Sequence, residues 1–209
     1  MLSDKHQLAE GKMARIALPI AALFMVIATV AQAHTGVGDT NGFVHGFAHP
    51  VSGIDHVLAM VAVGLFAAQL SGRALWLVPL AFVSMMALGG AFGIAGINPP
   101  FVEIGIGLSI VILGLAVAAR WHMPTVAAMG LVGFFAVFHG HAHGAEMPET
   151  ASGLSYGLGF MLATAALHVV GIGLGVGAEK TAEGVGQRTS QAVGGAMALA
   201  GIIILTGYL

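Results

Sequence analysis

From His49 to His56 the chain reads His-Pro-Val-Ser-Gly-Ile-Asp-His, and a second cluster further on reads His139-Gly140-His141-Ala142-His143 with Glu146 close behind. Neutral imidazole nitrogens and carboxylate oxygens are the donors that bind borderline divalent transition metals. The setting sharpens that reading, because only 8% of the 209 residues are charged and 57% are hydrophobic. An ionisable side chain within a membrane span costs about 3 kcal/mol on insertion scales, and such groups mark ion paths and relays. There is no cysteine, which excludes disulfides, thiolate sites and cysteine chemistry together. With only nitrogen and oxygen donors of this kind, Ni(II) or Co(II) is favoured over Cu(I). The eleven methionines show no repeated spacing and read as core filling.

These residues must be positioned by apolar helices. A mean hydropathy of +0.94 leaves too little polar surface for a water-soluble domain, so the class is an all-α integral membrane protein. A net charge of −2 and no basic block argue against a nucleic-acid partner. The N-terminus carries Lys5, Lys12 and Arg15, an apolar run over 16–30, and Ala31-Gln32-Ala33. That order predicts a cleaved signal peptide over 1–33, with an uncleaved helix over 15–33 as the alternative. The remainder, 34–209, forms one transmembrane domain with six apolar spans over 43–70, 74–97, 101–119, 124–144, 153–177 and 190–208, each near the ~20 residues that cross a bilayer. The expected architecture is therefore a six-helix transmembrane bundle. Arg73, Arg120, Lys180 and Arg188 fall in alternate joints. Placing those joints inside puts the mature N-terminus, Glu146 and the C-terminus outside.

That topology gathers His34, His45, His49, His56, His139, His141 and His143 at the outer face, with His168 near the middle of the fifth span. On a continuous helix His45, His49 and His56 share one face within about 40°, and Asp55 lies beside them. Pro50 is a candidate start or kink of that helix. His139, His143 and Glu146 share a face at spacings of four and three. Cleavage before His34 would join its free amine and imidazole into a ligand at the entrance. His141 points away from its neighbours, and His122 falls in an inner loop, so both read as solvated. His168 reads equally as a ligand or as a hydrogen-bond bridge between helices.

His34-Thr35-Gly36, Gly42-Phe43 through His49-Pro50, Gly53-Ile54-Asp55-His56-Val57-Leu58-Ala59-Met60, and Phe138 through Glu146 together resemble the HupE/UreJ family of hydrogenase and urease gene clusters. The resemblance covers nearly the whole chain. It implies a secondary nickel permease of the bacterial inner membrane, with His49, Asp55, His56, His139 and His143 at the family's functional positions. Its partners on this reading are a divalent ion and membrane lipid, with a second copy of the chain or nickel-enzyme accessory proteins beyond them. No prosthetic group is expected, since nickel or cobalt is cargo.

No Walker motif is present, yet inward movement of a dication gains about 4.6 kcal/mol per 100 mV of inside-negative potential. The expected path runs from His34, His45 and Glu146 through His49, Asp55, His56, His139 and His143 to His168. Three rivals remain. A sensor or delivery subunit would share the metal site without transport, and His56 with His168 could instead ligate a b-type haem. Gly153-Leu154-Ser155-Tyr156-Gly157 matches a G-x-S-x-G elbow, which requires a strand-turn-helix setting.

Overall fold

The computed structural model describes residues 42–147, 153–181 and 184–207. The signal peptide and His34 lie outside the described residues. Seven helices follow in order: α1 (Gly42–Ser52), α2 (Ile54–Leu70), α3 (Ala74–Ile94), α4 (Val102–Ala118), α5 (Thr125–Ala145), α6 (Gly153–Glu179) and α7 (Val185–Leu205). Four of them, α3, α5, α6 and α7, are long and apolar enough to cross a membrane. The bent pair α1–α2 passes the same test when taken together, and α4 is apolar but only 17 residues long.

The centre of the bundle is α2. Every residue from His56 to Ala68 is buried, which is what a helix apolar on all sides requires. The other helices pack around it and leave Trp76, Leu80, Phe134, Val169 and Leu199 exposed, side chains suited to lipid rather than water. The end opposite the histidines is tied by polar contacts. Gln69 at the end of α2 donates to the Val117 carbonyl, Gln191 of α7 donates to the Ala118 carbonyl, and Arg120 pairs with Glu179 at 3.6 Å.

The first expected span is not one continuous helix. It breaks at Gly53, where α1 and α2 meet at 81°, and Pro50 sits inside α1 although the residue before a proline disfavours helix. The break falls after the proline for a local reason. The carbonyl of His49 loses its usual partner where the chain turns, and the Ser52 hydroxyl donates to it at 2.6 Å instead. The last helix also starts earlier than expected, at Val185, after Gly184 in the left-handed region at φ 82°. Gln187 and Arg188, which read as loop, form its first turns.

Glycine sets the height of the site. A Cβ on Gly89, Gly93, Gly140 or Gly144 would collide with the backbone carbonyl of Val137, His141, Met86 or Gly90 respectively. The four-residue spacing on both helices lets α3 and α5 touch backbone to backbone, as small-x-x-x-small pairs do in membranes. Gly46 against the Tyr156 carbonyl, and Gly159 against the Phe43 carbonyl, bring α1 onto α6 in the same way. His139 and His143 are thereby fixed on one pair of helices, and His45 and His49 on another.

Candidate metal centre

Glu146 caps the C-terminus of α5, and its carboxylate Oε2 lies 3.3 Å from His49 Nε2 and 3.9 Å from His143 Nδ1. One ligand atom from each of these three residues falls within 4.8 Å of the others. An ion with bonds of about 2.1 Å needs ligand atoms roughly 3.0–3.4 Å apart, so small side-chain shifts would close the group around a cation. His45, exposed on α1, lies one turn further out, with its ring 6.1 Å from that of His49.

Below this rim the imidazoles touch in sequence. His143 Nε2 lies 2.7 Å from His56 Nε2, whose own contact with His139 Nδ1 is 3.3 Å. His139 Nε2 then meets Ser109 Oγ on α4 at 2.7 Å. The run from Glu146 to Ser109 thus draws on α1, α2, α4 and α5. His56, His139 and Ser109 are all buried. Phe160 of α6 walls one side, its ring 4.5 Å from that of His143 and 5.8 Å from that of His56. A cleft of about 190 Å³ opens between α3, α5 and α6, lined in part by Met86, Gly90, His143, Tyr156 and Phe160.

The 81° turn rearranges the expected face of α1 and α2. His45, His49 and His56 do not form one helical stripe, because the break re-aims His56. His49 and His56 still come together, through His143, whose ring lies 4.7 Å from that of His49 and 3.9 Å from that of His56. Asp55 in the first turn of α2 reaches His56 Nδ1 at 4.0 Å. Gly53 leaves room for it, since a Cβ there would sit 2.7 Å from Asp55 Oδ1.

His168 is buried on α6 but stands apart from this run. Phe82 of α3 separates them, with ring centroids 5.8 Å from His139 and 5.1 Å from His168, and neither His168 nitrogen has a hydrogen-bond partner. Among the described residues no side chain or backbone group bridges it to another helix by a hydrogen bond. His141 differs from its solvated expectation: it is buried, because the close α3–α5 contact covers that side of the helix. His122 is exposed as expected. Ser109, Phe82, Tyr156 and Phe160 were not singled out by sequence. For Ser109 the available signal was a hydroxyl in a helix, Val102–Ala118, whose other polar side chain is Glu103 in its first turn.

One rival chemistry loses its footing here: residues 153–157 form the opening turns of α6 and so build no strand-turn-helix elbow.

A family model described as HupE / UreJ protein matches residues 22–204. Protein HupE of Rhizobium leguminosarum bv. viciae is 46% identical over 196 residues, covering 94% of this chain and 100% of its own length. No solved structure matches.

Proposed function

Since the chain belongs to the HupE/UreJ family, we propose that it is a secondary permease importing Ni(II), with Co(II) as a second cargo, across the bacterial inner membrane for nickel-enzyme maturation. Residues 1–33 are its export signal, and 34–209 form the transporter domain. Both α1–α2 and α4 count as spans, completing six, and the positive-inside rule places Glu146 and both mature termini in the periplasm.

The observation that carries this reading is the unbroken run of donors Glu146, His49, His143, His56 and His139 from the rim into the buried centre. Imidazole and carboxylate can replace a dication's hydration shell stepwise, each hold being weak enough to release. Asp55 adds a second carboxylate whose charge offsets the dication in low dielectric. His34 and His45 act at the entrance, and His168 receives the ion beyond Phe82. The membrane potential supplies the driving force.

Proteoliposomes holding this chain alone, given an inside-negative potential, are the test. They accumulate nickel, whereas vesicles carrying His56→Ala at equal protein content do not. Metal bound at the surface without accumulation would identify a sensor or delivery subunit instead. Equal accumulation by the variant would refute the histidine path.

A further inference from the structure

Ser109 is fully buried on α4, and its side chain makes two short contacts. Its Oγ lies 2.6 Å from the carbonyl oxygen of Ile106 and 2.7 Å from His139 Nε2. A serine hydroxyl has one hydrogen to give and lone pairs to receive. The carbonyl can only accept, and a helical serine characteristically back-bonds to a carbonyl three or four residues earlier. Once that hydrogen is committed to Ile106, the contact with His139 closes only if Nε2 carries the ring hydrogen and donates it to Ser109 Oγ.

A neutral imidazole has one N–H. His139 Nδ1 then holds a free lone pair, and Nδ1 is the nitrogen that faces His56 Nε2 at 3.3 Å. From this geometry we infer that Ser109 is a positioning residue for cation transfer: it holds His139 in its Nε2–H form and so turns the Nδ1 lone pair toward the point where His56 and His143 converge. The inference rests on the permease reading for its purpose, though not for the hydrogen-bond assignment. It gives α4 a task in the site, through the hydroxyl that meets His139. A partner on the far nitrogen of a ligating histidine both orients the ring and raises its basicity, and loss of such partners weakens metal affinity about 10- to 100-fold.

The two halves are tested separately on the full chain in detergent. Histidine-selective ¹⁵N labelling without metal, with the His139 signals identified by their loss in His139→Gln, reads the tautomer directly. Wild type shows a protonated Nε2 and an unprotonated Nδ1. Ser109→Ala loses that fixed form, and Ser109→Thr, which keeps the hydroxyl, restores it. A protonated Nδ1 in wild type would overturn the inference without recourse to any variant, because the serine would then be donating to the ring. A fixed Nε2–H form persisting in Ser109→Ala would also overturn it. Calorimetric titration with NiCl₂ then gives affinity about 10- to 100-fold weaker in Ser109→Ala and recovered in Ser109→Thr, and equal affinity in all three would overturn the positioning role. If wild type shows the expected tautomer but binds no nickel, the permease reading fails while the assignment of Ser109 to His139 stands.

Discussion

Gly53→Ala isolates the placement of Asp55 from the stability of the fold. The Gly53 backbone sits at φ −92° and ψ 119°, which any L-residue adopts without strain. The added Cβ would lie 2.7 Å from Asp55 Oδ1 and 3.8 Å from His56 Cβ. The second distance is ordinary contact, so only the carboxylate must give way. Reaching the 3.4 Å of an ordinary contact requires Oδ1 to retreat by about 0.7 Å, where metal–ligand distances tolerate about 0.2 Å. On the permease reading, that displacement moves the Asp55 carboxylate away from the cation it would offset, while the short side chain relaxes at little cost to folding. A loss of about 10- to 100-fold in nickel affinity follows, equal to roughly 1.4–2.8 kcal/mol. Radiolabelled nickel uptake into proteoliposomes over a concentration series, beside thermal unfolding in detergent, reads both quantities. Uptake matching wild type with an unchanged unfolding midpoint would refute the role given to Asp55. Equal losses in uptake and stability would refute the claim that the glycine serves the carboxylate rather than the turn.

Uptake should weaken on acidification, because imidazole binds a metal only when neutral. Initial rates with external pH stepped down from about 7.5, at fixed potential and without a proton gradient, should fall once protons compete for the donors. Rates that rise would indicate proton-driven import. Gly140→Leu should lower stability by about 1–3 kcal/mol, since its Cβ meets the Met86 carbonyl where α3 and α5 touch. Gly130→Ala on the same helix has nothing within 4 Å and should be neutral or mildly stabilising, and thermal unfolding of the two variants side by side checks the contrast.

The donors were legible in the sequence because imidazoles and carboxylates in an apolar chain need a reason to be there. Helix periodicity grouped His139 with His143, which lie on one unbroken helix, and with Glu146, which follows at its C-cap. It failed for His45, His49 and His56, because the turn at Gly53 is a backbone event that hydropathy does not register. The roles of Ser109 and Phe82 were not legible for a different reason. Each gains its meaning from a partner on another helix, and neighbours across a bundle leave no spacing signal along the chain. His141 was misread because α5 presents two histidine faces, and only the glycine contact with α3 shows that the second is covered by protein.

The imidazoles below Glu146 are in edge contact, and that has a kinetic consequence. A bare ion cannot occupy the run without parting two rings, so the described residues leave no continuous lumen along it. On the permease reading each advance is a ligand substitution in which the metal takes the place of a contact between neighbouring side chains. Flux would then saturate with concentration as carriers do, at turnover set by exchange at the metal, and planar-bilayer recordings would show no unitary current steps. Ions that bind nitrogen poorly, such as Mg²⁺ and Ca²⁺, would be rejected by their failure to separate the rings, whatever their size.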